Sequence, residues 1–184
     1  MNTLSRLAVV SALATLGVVG TAVHAAPVLA DQTVALQASK SGSTQTAGIT
    51  SVHTVAGEFI DTFTLTGASG LVKLNASLTT IGTSQALDID FISATINGVT
   101  YSITRSGLGI NPDGVEVANL LNTVLSSPLV LTIHGYAGAG LAAGTAINAS
   151  YSGTFNVTQV PEPASLALAS AGLLGLVVSR RRKA

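Results

Sequence analysis

The stretch from residue 161 onward contains three consecutive segments that are unsuited to a globular core. Any folded domain must therefore be formed by the residues that precede it. Pro161-Glu162-Pro163 comes first, and its two prolines prevent it from continuing a strand or a helix. Sixteen uncharged residues, 164–179, follow, and then the cations Arg180, Arg181, Arg182 and Lys183. A helix of that length spans about 24 Å, close to the roughly 30 Å of a membrane's hydrocarbon core. We therefore predict a transmembrane helix over 164–179, with the basic cluster 180–183 held on the cytoplasmic side.

The order of these segments resembles the PEP-CTERM sorting domain of Gram-negative bacteria, with Pro161, Glu162 and Pro163 as its recognition motif. The resemblance covers 160–184 and implies that exosortase cuts the chain near this motif after transient anchoring in the inner membrane. It also implies delivery to the cell surface or extracellular matrix, with exopolysaccharide as a candidate partner in a biofilm. The alternative is a plain C-terminal membrane anchor in which Pro-Glu-Pro is only a linker.

The N-terminal region is typical of a secretory signal peptide. Arg6 precedes an apolar stretch over 7–23, and Val23-His24-Ala25 places small residues at the −3 and −1 positions of a signal peptidase site. We predict cleavage between Ala25 and Ala26, so that signal peptidase is a second processing partner. A retained membrane helix is the alternative.

Removal of both ends leaves residues 26–159 as one exported domain of ordinary size. Its formal charge is about −4, because seven acidic residues stand against three basic ones: Asp31, Glu58, Asp61, Asp88, Asp90, Asp113 and Glu116 against Lys40, Lys73 and Arg105. This balance disfavours nucleic-acid binding. The sequence has no cysteine, which excludes disulfides and thiolate metal sites, and we expect no cofactor and no metal.

The composition of this domain, rich in Thr, Ser, Gly, Val and Ile, favours strands joined by short turns. We predict an all-β fold, a single antiparallel β-sandwich of jelly-roll type. The clearest local signal is Asn97-Gly98, which predicts a type I′ hairpin between strands at about 87–96 and 99–105. Pairing outward from this turn puts Asp90 opposite Arg105 as an ion pair, and puts Phe91 on the solvated face.

A second strand is predicted over 58–67, where Phe59, Asp61, Phe63 and Leu65 share one face and Ile60, Thr62, Thr64 and Thr66 share the other. An aspartate between two aromatic residues on the buried face needs a partner, such as backbone N–H groups or a cation. The Phe59-x-Asp61-x-Phe63 string resembles the FxDxF-type family of PEP-CTERM proteins. That resemblance implies a small exported β domain, and the three residues are a structural motif in it.

No group of residues in the sequence supports catalysis. Asp88 and Asp90 share one face of the predicted strand, which suits Ca²⁺ or acid–base chemistry, but pairing with Arg105 and exposure of Asp88 at a strand end explain them more simply. His53 and His134 stand far apart, and the sequence contains no Gly-x-Ser-x-Gly nucleophile elbow. We therefore expect no catalytic residue and no enzymatic activity.

Two segments are ambiguous from sequence. Apolar residues over 116–125 fit a helical face, but the surroundings favour a strand. The glycines from Gly135 to Gly144 indicate a loop between the last two strands.

Three functions are compatible with the sequence. The first is a noncatalytic structural or adhesive matrix protein. The second is a carbohydrate-binding module, and the third is a small secreted hydrolase.

Overall fold

A computed structural model describes residues 31–40, 44–106, 114–160, 168 and 170–173, and the first three ranges form a β-sandwich of two sheets. The predicted all-β sandwich is therefore confirmed. The strands, numbered along the chain, are β1 (Gln32–Ala35), β2 (Gln37–Ala38), β3 (Thr44–Val55), β4 (Gly57–Thr66), β5 (Leu71–Gly82), β6 (Ile89–Ile96), β7 (Val99–Thr100), β8 (Ser102–Ser106), β9 (Gly114–Ser126), β10 (Leu129–Ala137) and β11 (Ala146–Gln159), with a 3-10 turn at Gln85–Leu87 before β6.

One sheet, called sheet A, has the order β1-β4-β10-β6-β7, and the other, sheet B, has the order β2-β3-β11-β5-β9-β8. All pairings are antiparallel except that of β1 with β4. The core lies between the sheets because most strands alternate between buried and exposed residues. On β4 the predicted inner face is confirmed, since Phe59, Asp61, Phe63 and Leu65 are all buried.

Both lateral edges of the sandwich are closed by a chain segment that passes from one sheet to the other. At one edge the chain leaves sheet A after β1 and enters sheet B as β2, with the buried Leu36 between them. At the other edge β7 continues into β8 through the buried Tyr101, whose N–H donates to the carbonyl of Ala94 at 2.9 Å. These crossings leave only short strands at the edges, which limits pairing with other chains.

The hairpin predicted at Asn97-Gly98 is present, but it is shorter than expected. Both turn residues have positive φ, 48° and 80°, and Ile96 lies opposite Val99. Pairing stops after Thr95 and Thr100 because Tyr101 carries the chain into sheet B. The predicted cross-strand register of Asp90 with Arg105 is therefore wrong: Asp90 lies opposite Tyr136, and Arg105 lies opposite Glu116. The ion pair between the two side chains stays a prediction.

A β-bulge in β6 also reverses the predicted faces of its first half. Phe91 and Ser93 pair with the consecutive residues Gly135 and His134, so Ile92 is the extra residue. Phe91 is fully buried, whereas the sequence prediction put it on the solvated face, and Ile92 is 52% exposed.

The ambiguous segment 116–125 lies in strand β9, in agreement with the preference for a strand that its surroundings indicated. Its helix-like spacing comes from another bulge, where β5 pairs Leu74 with Thr123 but Ala76 with Leu120. Asn122 takes φ 52° at this point, and its N–H donates to Oδ1 of Asn75 at 2.8 Å. Leu120 and Leu125 are buried on either side of it, whereas Leu121 is exposed.

The predicted glycine-rich loop is also shorter than expected, because β10 continues to Ala137 and the connection to β11 covers 138–145. Gly135 lies inside β10, where a Cβ would come within 2.6 Å of the Phe59 ring. The close packing of that ring against the strand therefore explains this glycine.

The predicted signal peptide 1–25, its cleavage site Ala25-Ala26 and most of 160–184 lie outside the described residues. Of the predicted membrane helix 164–179, residues 168 and 170–173 are described, and they are helical. Among the residues described, no helix has the length and apolar character needed to cross a membrane.

Candidate functional site

A group of buried polar side chains lies between the two sheets and is centred on Asp61. Oδ2 of Asp61, on β4 of sheet A, accepts hydrogen bonds from Ser51 Oγ at 2.9 Å and from the Tyr151 hydroxyl at 2.5 Å. Nε2 of His53 lies 3.1 Å from the same oxygen. Ser51 and His53 come from β3, and Tyr151 comes from β11, both in sheet B. We call these four residues the Asp61 cluster, and they join the two sheets across the core.

Aromatic rings surround the Asp61 cluster and separate it from solvent. The His53 ring stacks on Phe59 with 3.9 Å between centroids, and Phe91 meets Tyr151 edge-on at 5.6 Å. The exposed fractions of Ser51, His53, Asp61 and Tyr151 are only 3, 5, 0 and 1%. A carboxylate so removed from water needs donors close by, and the cluster supplies three of them.

The chemistry available to the Asp61 cluster follows from which atoms touch. Ser51 and His53 both contact Asp61, so the three do not form the serine–histidine–aspartate relay in which histidine bridges the other two. Burial raises the pKa of Tyr151 far above its usual value, and the hydrogen bond and charge of Asp61 raise it further. Tyr151 therefore remains a neutral donor, and the arrangement stabilises a buried carboxylate.

Sequence reasoning identified Asp61 and its need for a partner, but it did not identify the partners. They are three side chains, Ser51, His53 and Tyr151, and not backbone N–H groups. Tyr151 lies 90 residues away in the chain. Inward alternation on β3 and β11 is the only sequence signal that could have brought these residues to one layer.

A second buried carboxylate, Glu116, binds the backbone of β6 where that strand has no neighbouring strand on one side. Beside the bulge at Ile92, the N–H of Phe91 donates to Oε2 of Glu116 at 2.6 Å, and Nη2 of Arg105 donates to the Phe91 carbonyl at 2.9 Å. Arg105 also forms an ion pair with Glu116. Because β7 covers only Thr95 and Ile96 of β6, these two side chains of sheet B take the place of a neighbouring strand.

The predicted carboxylate pair Asp88 and Asp90 does not share one face. Asp88 precedes β6 and is fully buried against Gly82, where a Cβ would lie 1.9 Å from its Oδ1. The expectation that Asp88 lies exposed at a strand end is therefore wrong. Asp90 lies in one row with Glu58 and Tyr136 on the outer face of sheet A. His134, on the same face, contacts Glu58. Within the described residues no group of three or more His, Asp or Glu side chains has a geometry that would hold a metal ion.

The last strand of the sandwich is described through Val160, the residue before Pro161-Glu162-Pro163. The Val160 N–H donates to the Leu71 carbonyl at 2.9 Å, and Nε2 of Gln159 donates to the Ser69 carbonyl at 2.8 Å. Pro161, Glu162 and Pro163 and the cluster 180–183 lie outside the described residues. Pro161 thus directly follows Val160, whose N–H is bonded to the sandwich.

Comparison with known families supports the prediction for this segment. Residues 159–183 match the model of the PEP-CTERM protein-sorting motif, and this match implies export, transient membrane anchoring and processing by exosortase. Neither the curated proteins nor the solved structures gave a match. The FxDxF resemblance of Phe59, Asp61 and Phe63 stays a prediction, although all three residues are buried on β4. The chain is therefore a PEP-CTERM sorting domain-containing protein, with the motif at residues 159–183.

Proposed function

We propose that the mature protein is a noncatalytic structural or adhesive component of the cell surface or extracellular matrix, released there after exosortase cuts near Pro161-Glu162-Pro163. The match over 159–183 carries this proposal, because it provides a route out of the cell for the sandwich that precedes it. Signal peptidase cleavage between Ala25 and Ala26 completes the proposed processing.

The described part of the sandwich supports a structural role through the placement of its polar chemistry. The Asp61 cluster is sealed between the sheets, and Glu116 is buried while it closes the edge of β6. Both groups stabilise the fold and offer no open cleft to a substrate. A domain without cysteine depends on such internal bonds and on packing for its persistence outside the cell.

Fractionation of the native host tests this proposal. The protein is expected in the washed matrix of the parent strain, and deletion of 161–184 is expected to move it to the soluble medium or the periplasm. A protein that stays in the inner membrane of the parent strain would contradict the proposed destination. Measured turnover of a polysaccharide or peptide by the purified protein would contradict the noncatalytic role.

A carbohydrate-binding module is the second candidate, and the outer face of sheet B favours it. That face carries side-chain hydroxyls and amides on neighbouring strands in register, such as Ser152 beside Thr50 and Thr79. Such groups suit a polyhydroxylated ligand.

A further inference from the structure

The outer face of sheet B is almost free of charge, which is unusual for a solvent-facing sheet. Its four long strands, β3, β11, β5 and β9, carry two residues with Lys, Arg, Asp or Glu side chains, the exposed Lys73 and the buried Glu116. Soluble protein surfaces usually mix charged residues of both signs. This face instead presents Thr, Ser and Asn, which suits contact with a neutral, hydrated partner.

The hydroxyls and amides on this face form rows that cross the strands. One row runs Thr50, Ser152, Thr79, and the next runs through Thr154, Ser77 and Asn119. Neighbouring strands lie about 4.8 Å apart and successive outward residues about 6.8 Å apart. In the part of the chain that the structure describes, the hydroxyls of Thr50, Thr79, Ser152 and Thr154 make no hydrogen bond within the protein, so they can bind a ligand.

Two shallow depressions lie end to end along the junction of β11 with β5. The first is lined by Thr79, Ser152 and Ile81, among others, and the second by Ser77, Thr154 and Leu121 with neighbouring Asn side chains. Each depression thus pairs an exposed aliphatic side chain with hydroxyls or amides, since Ile81 is 60% and Leu121 67% exposed. A sugar ring has the matching combination of apolar C–H faces and hydroxyl edges.

We propose that this junction is a binding track for an extended neutral polysaccharide, which lies along β11 and β5 with sugar residues over the two depressions. Hydroxyls and amides donate and accept equally well, so they satisfy sugar hydroxyls in both roles. The near absence of charge makes the interaction insensitive to salt. The track identifies the partner class for the matrix role and rests on that proposed function.

The test uses the protein recovered from its native host and the polysaccharide of the host's own matrix, separated by anion exchange into neutral and charged fractions. Thr154→Arg places a long cation on the track, and Thr62→Arg makes the same substitution on the outer face of sheet A. Circular dichroism and thermal unfolding confirm that both variants are folded. If Thr154→Arg unfolds the protein, Ser77→Arg on the same row takes its place.

We expect the parent protein and Thr62→Arg to bind the neutral fraction equally at about 0.05 and 0.5 M salt. Thr154→Arg is expected to bind it about tenfold more weakly. No binding, binding only to the charged fraction, or equal loss in both variants would overturn the track. Retention of the protein at the cell surface or in the matrix without such binding would refute the track alone, whereas absence from both would refute the proposed function.

Discussion

The hydroxyl of Tyr151 on β11 donates to Oδ2 of Asp61 on β4, and this hydrogen bond joins the two sheets through the centre of the core. Both residues are almost completely buried. A second buried tyrosine, Tyr101, has a hydroxyl without a hydrogen-bond partner in the described structure. The two tyrosines therefore form a matched pair for measuring what the contact with Asp61 contributes.

Tyr151→Phe is expected to lower the free energy of unfolding by about 2 kcal/mol, because it removes a donor from a buried carboxylate. Tyr101→Phe removes a buried hydroxyl that has no partner and is expected to leave stability unchanged or to raise it by up to about 1 kcal/mol. Urea unfolding of the processed protein measures both values. Equal losses in the two variants would argue against a special role for the bond to Asp61.

Asp61→Asn is expected to cost about 2 kcal/mol, since the amide cannot accept as strongly from Ser51, His53 and Tyr151. Tyr151→Phe should then cost at least about 1 kcal/mol less in the Asp61→Asn background than in the parent protein. The double-mutant cycle in urea reports this coupling. Additive effects would show that the two residues stabilise the fold independently.

High pH should unfold the protein through its buried tyrosines. Burial raises the pKa of Tyr101 and of Tyr151 well above the usual value, and Asp61 adds to the shift for Tyr151. The unfolded chain loses these protons near pH 10 while the folded chain keeps them, so stability is fully present below about pH 10 and falls above it.

We measure the free energy of unfolding in urea between about pH 8 and 11. Above pH 10 it is expected to fall less steeply with pH in Tyr101→Phe than in the parent protein, because unfolding of the variant releases one proton fewer. Tyr136→Phe, at a half-buried tyrosine on the outer face of sheet A, is the control. A slope that does not change in Tyr101→Phe would mean that this hydroxyl ionises in the folded protein.

Arg105→Ala is expected to destabilise the protein by about 2 kcal/mol, because it leaves the buried Glu116 without its ion pair and the Phe91 carbonyl without its donor. Lys73→Ala, which removes an exposed cation from sheet B, is expected to change stability by less than about 0.5 kcal/mol. Thermal unfolding compares the two. Equal shifts would show that the contact with Glu116 contributes little.

Gly135→Ala is expected to cost more than about 2 kcal/mol, since its Cβ would lie 2.6 Å from the Phe59 ring and 2.8 Å from the Asp90 carbonyl. Gly48→Ala is the matched strand control, because its Cβ would have only one ordinary contact, at 3.7 Å. Urea unfolding of both variants decides whether close packing requires the glycine in β10. Equal stability would show that the Phe59 ring can move aside.

The sequence predicts the elements that obey a simple period. Alternation of Phe59, Asp61 and Phe63 correctly identified the inner face of β4, and Asn97-Gly98 identified the hairpin turn. The bulges at Ile92 and Asn122 could not be predicted, because each shifts the alternation by one residue at a position where no glycine or proline marks it. The prediction for Phe91 is wrong because of the bulge at Ile92. The predicted register of Arg105 is wrong because the chain crosses into sheet B at Tyr101.

The candidate site was predicted only in part for a related reason. A sequence period indicates that a side chain points inward, but it does not indicate which strands meet it. The partners of Asp61 are set by sheet order, which places β3 and β11 across the core from β4. The sorting motif behaves differently, because its signal is a linear order of segments and needs no tertiary contact to be recognised.

Intact-mass spectrometry of the protein from its native host, with and without a functional exosortase, tests the central claim most directly. One spectrum reports both ends of the chain and any attached glycan. We predict a product that begins at Ala26 and ends within 161–163, and that disappears in the strain without the enzyme. A product that retains Arg180 to Lys183 in both strains would contradict processing at this motif and would identify an ordinary membrane-anchored protein.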